Sequence, residues 1–127
     1  LATERGKNKI ILQEFLPEVT LGDKRIFLLA GEPIGALNRL PTSSDYRANI
    51  AAGGTIAEAK ITDSERKICE ALKPTLLKLG LIIVGLDVIG DRLTEINITS
   101  PTCLEEIAQF DGTNPAKQII EWALKKD

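Results

Sequence analysis

The 127-residue sequence predicts an α+β lobe in which a mostly antiparallel sheet is flanked by helices. Three observations carry that reading. Two pairs of short apolar segments are each joined by a glycine-containing turn, as in antiparallel hairpins. Residues 63–79 place an apolar stripe of helical period between a capping box and a glycine stop. The strands and helices do not alternate along the chain, as a doubly wound parallel sheet would require.

The elements follow in order. Residues 1–8, "LATERGKN", are polar and read as a frayed entry. Residues 10–15, "IILQEF", open with β-branched side chains and are stopped by Leu16-Pro17, which predicts a strand running into a loop. In "KRIFLLAGEPIGALNRLP", apolar residues 25–30 and 34–40 flank a Gly31-Glu32-Pro33 turn, a predicted hairpin. Residues 42–58 are small, polar and without period. A loop of that length is uncommon in a compact domain unless functional or disordered.

Thr62 and Glu65 form the capping box of the helix at 63–79, whose stripe is Ile68, Leu72, Leu76 and Leu79. Gly80 stops it, and Pro74 should kink or split it. Residues 81–88 predict a buried strand, paired with 93–98 across Gly90-Asp91. Ser100-Pro101 predicts a helix running to about residue 109, with proline at its first position. A last helix begins at Asn114-Pro115 and carries Ile119, Ile120 and Ala123 on its apolar stripe. Trp122 lies off that stripe, as a lid or an outward contact.

Composition bounds the function. With 43% apolar residues the chain can bury one core, so one domain or one lobe is expected. No apolar run of about 18 residues and no leader pattern is present, which predicts a soluble cytoplasmic protein without membrane contact. The net charge is −2, with acidic and basic residues interspersed, and predicts no nucleic-acid partner. There is no histidine, and Cys69 and Cys103 lack metal-ligand spacing, which excludes His-based catalysis and zinc. The chain has no methionine and starts at Leu1, so a C-terminal piece of a longer protein is expected.

The stretch "GLDVIGDRLTEINITSPT", residues 85–102, places Asp87, Glu95 and Asn97 in a hairpin that should be apolar. Asp87 and Glu95 share a face only if the turn is odd in effective length or the ladder is bulged. A three-residue Gly90-Asp91-Arg92 loop would meet that condition. At ~4 Å two carboxylates repel by about 4 kcal/mol at an effective dielectric of 20, and a hard cation such as Mg²⁺ would offset this. Equally, Asp87 could satisfy a loop while Glu95 points to solvent.

In the first hairpin a three-residue loop would set Arg25 opposite Arg39, a like-charge pair that an anion would stabilise. Arg47 adds a third guanidinium, and "NIAAGG", with Asn49, Gly53 and Gly54, adds an amide and backbone N–H groups able to approach phosphate. The N–H groups of Ser100 to Thr102 would open a helix and face an anion, or Ser100 is a plain N-cap. Arginines for phosphate beside carboxylates for Mg²⁺ suggest a nucleotide-dependent reaction.

The strings "GDKRIFLLAGEPIGALNRLP", "YRANIAAGGT" and above all "GLIIVGLDVIGDRLTEINITSPT" resemble the C-terminal ATP-grasp region of bacterial-type glutathione synthetase over residues 13–107. The continuation "NITSPT" favours that family over other ligases sharing the D…E-x-N pattern. The resemblance implies a partial ATP-grasp domain over residues 1–127, the N-terminal substrate domain and the other ATP-grasp lobe being absent. It implies ligation of γ-glutamylcysteine with glycine through an acyl phosphate, with ATP as co-substrate and Mg²⁺ or Mn²⁺ as cofactor. It also implies a homo-oligomer, dimer or tetramer, for the full-length protein. The alternatives are another ATP-grasp carboxylate–amine ligase and a non-catalytic nucleotide-binding module.

Carried over by position, Asp87, Glu95 and Asn97 resemble the metal ligands, and Asn97 also the ATP contacts. Arg25 and Arg39 resemble the groups facing the transferred phosphoryl. Arg47, Asn49, Gly53, Gly54, Ser100 and Thr102 resemble substrate-binding residues, and Gln13, Glu14, Phe15 and Leu16 the strand that reads the adenine edge.

Overall fold

The computed structural model describes residues 3–41 and 55–125. After a 3₁₀ turn at Pro17–Leu21 come β1 (Asp23–Leu29), β2 (Glu32–Leu40), β3 (Thr55–Glu58), α1 (Asp63–Lys78), β4 (Ile83–Ile89), β5 (Arg92–Asn97), α2 (Leu104–Asp111) and α3 (Pro115–Leu124). The five strands form one sheet in the order β3-β2-β1-β4-β5, and every neighbouring pair is antiparallel. The α+β class is therefore as the sequence predicts. No described helix is long and apolar enough to cross a membrane.

Strand side chains alternate between faces, so the two hairpins feed two cores. Ile26, Leu28, Ala36, Val84, Leu86 and Val88 pack with Cys69 and Leu76 of α1. The alternate residues Phe27 and Leu37 pack with Cys103 and Ile107 at α2, and Ile119 of α3 joins them. The sheet is thus the middle of three layers. Each fully buried side chain of this size contributes about 1.5–3 kcal/mol.

Helix α1 begins as its capping box requires: Glu65 N donates to Thr62 Oγ1 at 3.3 Å, and Thr62 N donates to Glu65 Oε2 at 2.8 Å. Pro74 does not split it, and the helix runs 16 residues through that position. The hydrogen bond that Pro74 cannot donate would go to the carbonyl of Glu70, and both residues are exposed, so water can take its place. In α3, Asn114 Oδ1 accepts from Lys117 N at 2.9 Å and Pro115 takes the first position. Ile120, expected on the buried stripe, is exposed.

Other expectations are corrected. Residues 10–15 are not a strand: they enter no β-ladder among the described residues, and Ile11 and Leu12 are 87% and 92% exposed. Without a partner an apolar segment gains nothing from being extended. The first turn is not Gly31-Glu32-Pro33 but Ala30-Gly31, both at positive φ, with Leu29 opposite Glu32. A bulge lies between Phe27 and Leu28, and Arg25 pairs with Leu37 while Asp23 pairs with Arg39. The expected pairing of Arg25 with Arg39 is therefore not formed.

Residues 55–58 of the expected loop are strand β3, too short for a periodic signal and held by pairing with β2. The rest of that loop lies outside the described residues. The predicted helix at Ser100-Pro101 starts only at Leu104, after Cys103 in the left-handed conformation. Pro101 is occupied elsewhere: it packs so closely over Gly85 that a Cβ there would sit 2.9 Å from Pro101 Cβ.

Candidate functional site

Asp87 stands in the middle of the central strand β4, 4% exposed. A buried carboxylate persists only when paired and hydrogen-bonded. The register supplies the partners, because Arg25 is opposite Asp87 across β1 and β4. Arg25 Nε donates to Asp87 Oδ1 at 2.5 Å, and Arg25 Nη2 to Oδ2 at 3.1 Å, a bidentate grip. Arg39 Nη2 lies 2.9 Å from Asp87 Oδ2. Asn97 Nδ2 donates to the same oxygen at 3.3 Å.

Both arginines thus meet on a carboxylate of the chain, rather than opposite one another as the sequence predicts. Arg39 reaches there because Asp23, its cross-strand partner, holds its other contacts: Nη2 donates to Asp23 Oδ2 at 2.6 Å and Nε to the Asp23 carbonyl at 3.4 Å. Arg25 Nη1 donates to the carbonyl of Thr102 at 3.3 Å, tying the site to the segment ahead of α2. The result is a row of alternating charge, Asp23, Arg39, Asp87, Arg25.

The charges respond accordingly. Burial opposes ionisation of Asp87, but the hydrogen bonds and charges of Arg25 and Arg39 outweigh it and hold its carboxyl below the ordinary value. Asp23 goes the other way. Burial raises it, and the neighbouring guanidinium of Arg39 does not fully offset this. Among the described residues its Oδ1 is the buried side-chain oxygen without a hydrogen-bond partner. For Arg39, burial is outweighed by the hydrogen bond with Asp87 and the charges of Asp23 and Asp87, so its pKa rises.

The condition set for Asp87 and Glu95 is met by a bulge. The turn is the two-residue Gly90-Asp91, with Ile89 opposite Arg92, but the ladder shifts between Asp87 and Val88 and brings Glu95 opposite Asp87. Thr94 takes up the extra position and its Oγ1 donates to the Asp87 carbonyl at 3.0 Å. Glu95 is exposed on that face, so it neither joins the arginine row nor is buried.

No group of three His, Cys, Asp or Glu able to hold a metal occurs among the described residues. The donor set of two carboxylates and an amide nevertheless fits a hard cation. Asp87 Oδ1 accepts one N–H and keeps a lone pair, Asn97 donates through Nδ2 and keeps its oxygen, and Glu95 is open.

At the turn and bulge of the β4–β5 hairpin lies a cavity of about 560 Å³ lined by Gln13, Glu14, Phe15, Leu16, Val19, Ile89, Arg92, Leu93 and Thr94. That volume lies within the range of small-molecule pockets. Thr94 belongs to both the cavity wall and the bulge, so the cavity abuts the back of Asp87. Two of its lining residues are bonded to each other, Arg92 Nη1 donating to Glu14 Oε2 at 3.4 Å.

Of the predicted substrate residues, Ser100 and Thr102 are exposed ahead of α2, with Thr102 reaching the site through its carbonyl. Arg47, Asn49, Gly53 and Gly54 lie outside the described residues. Sequence reasoning missed Asp23. The signal was available, since a residue two before Arg25 on one strand must share its face.

Residues 1–112 match the family described as prokaryotic glutathione synthetase, ATP-grasp domain. Curated relatives named glutathione synthetase include one from a Nostoc species, 53% identical over 98% of this chain and 39% of its own length. Another, from Thermosynechococcus vestitus, is 51% identical over 96% of this chain and 38% of its own length. A third, from Brucella melitensis, is 52% identical over 87% and 35% respectively. This chain spans less than half the length of the curated relatives it matches. Fold, family match and relatives agree: the chain belongs to the prokaryotic glutathione synthetase ATP-grasp family.

Proposed function

We propose that this chain is the C-terminal catalytic lobe of a glutathione synthetase, which ligates γ-glutamylcysteine to glycine at the expense of ATP. The observation that carries the reading is the convergence of Arg25, Arg39 and Asn97 on Asp87, with Glu95 across the ladder, beside a cavity of nucleotide size.

Residues 13–16 and the bulged start of β5 form the cavity that would take adenine. Arg25 and Arg39 would face the phosphoryl group as it passes from ATP to the cysteinyl carboxylate, their charge matching the charge that develops there. Asp87 grips the Arg25 guanidinium with two hydrogen bonds and lies 2.9 Å from that of Arg39 before substrate arrives, so less reorganisation is left for the reaction. Glu95, Asn97 and the spare lone pair of Asp87 would hold Mg²⁺ or Mn²⁺, which when bound neutralises phosphate charge. The resulting acyl phosphate loses phosphate as the glycine amine attacks. Ser100, Thr102, Arg47, Asn49, Gly53 and Gly54 are assigned to the dipeptide and to closure over it.

The remainder of the protein would complete the nucleotide site. Cytoplasmic location and homo-oligomeric assembly belong to the same reading. The test is ADP release by the full-length protein, which should require ATP, γ-glutamylcysteine and glycine together. Arg39→Ala should lower kcat by about 10²–10³-fold, as loss of a transition-state donor does. Turnover with a different carboxylate acceptor would move the chain to another ligase, and ATP binding without turnover to a non-catalytic module.

A further inference from the structure

Asp23 is the member of the arginine row that no functional reading has used. It opens β1 directly opposite Arg39 on β2. It meets the Nε and Nη2 edge of the Arg39 guanidinium with its carbonyl at 3.4 Å and its carboxylate at 2.6 Å. Asp87 approaches Arg39 at Nη2, and its Oδ2 is shared with Arg25 and Asn97. One crowded contact leaves a planar group free to swing about it. Two contacts on one edge fix its plane and leave Nη1 without a hydrogen bond to a described residue.

We infer that Asp23 is a positioning residue: it orients Arg39 toward the transferred phosphoryl group and keeps it there when the oxygens of Asp87 turn to a ligand. The inference rests on the ligase reading for its activity readout.

A purely structural role for Asp23 fits poorly with its surroundings. Its Oδ1 is buried without a hydrogen-bond partner among the described residues, so the ionised group carries a desolvation cost that the guanidinium charges of the row do not fully return. Its raised pKa reflects the same burial. An amide there would accept from Arg39 Nη2 through one neutral oxygen, a weaker hold on the guanidinium than the charge-assisted bond of the carboxylate. What the carboxylate supplies in the row is its bond to Arg39.

The experiment is a double-mutant cycle in the full-length protein with wild type, Asp23→Asn, Arg39→Lys and the double variant. Asp23→Asn should lower kcat by about 10–100-fold while KM for ATP shifts by less than about threefold, the pattern of an interaction made in the transition state. In the Arg39→Lys background the same substitution should lower kcat by less than about threefold, because residues that act as a unit are not additive. The melting temperature should hold or rise. An unchanged kcat, or an equal loss in both backgrounds, would overturn the inference.

If Asp23→Asn does not fold, Asp23→Ser carries the same cycle. A second readout is independent of turnover: the side-chain Nη–H resonance of Arg39, identified by its loss in Arg39→Lys, should exchange faster with solvent in Asp23→Asn, because Nη2 donates to the carboxylate. The Arg25 resonance, gripped by Asp87, should not change. Wild type that releases no ADP with dipeptide and glycine would sink the ligase reading, whereas an Arg39 resonance indifferent to Asp23→Asn would sink this inference alone.

Discussion

Asp87 carries the largest stake of any single side chain in the site. It is buried beneath two guanidinium groups, and removing it leaves both facing a dry sheet surface with no compensating charge on β4. Asp87→Ala is expected to lower unfolding free energy by about 3–5 kcal/mol, the usual cost of breaking a buried pair from one side. Urea denaturation measures it, and a loss below 1 kcal/mol would show that the pair is not buried in solution. Its pH dependence has a definite sign. Because the folded-state pKa of Asp87 is depressed, its contribution is present above the ordinary value of 3.8 and is lost as pH falls through the lower, folded value. Asp23 is raised, so its ionisation costs stability as pH climbs through its folded value, and that cost is absent below 3.8. In metal-free protein the acid limb below pH 3.8 should therefore flatten in Asp87→Ala and persist in Asp23→Asn.

Both hairpins close with two-residue turns and carry a bulge, and the bulges decide which side chains meet. In the first hairpin the turn residues are Ala30 at φ 51° and Gly31 at φ 80°. Alanine is a poor occupant of the left-handed region, which asparagine tolerates well in such turns. Ala30→Asn should therefore stabilise the protein by roughly 1 kcal/mol, read as a higher denaturation midpoint at constant slope. Ala-Gly is also a weak turn signal beside Gly-Glu-Pro, which is why the sequence misplaces the turn and the register of Arg25 with it. The second hairpin was more legible. Its requirement of odd effective length followed from the period of two alone, and Thr94 meets it as the bulged residue. Helix α1 was legible nearly to the residue because its cap and stop are local signals.

At the scale of the molecule, the chain supplies the sheet, the arginine row and one wall of a cavity, while residues 10–12 lie open against nothing described. The purified 127-residue chain is expected to form no glutathione from ATP, γ-glutamylcysteine and glycine, whereas the full-length protein should. Turnover by the isolated chain would show that the remaining length of its relatives is dispensable for the chemistry. Residues 10–15 were misread for a reason of the same scale: their apolar, β-branched pattern makes no ladder with either described edge of the sheet, β3 or β5.

What the sequence determined was local or modular: the α+β class, the cap of α1, the start of α3, the shared face of Glu95 and Asn97, and the family through "GLDVIGDRLTEINITSPT". These depend on spacing within a few residues or on a string long enough to be specific. Tertiary structure alone decided that Arg25 and Arg39 meet on Asp87, that Asp23 holds Arg39, and that α2 waits until Leu104. Each of those depends on register between strands distant in sequence. A one-residue bulge shifts every pairing beyond it, and no local signal in either strand records where that shift will fall.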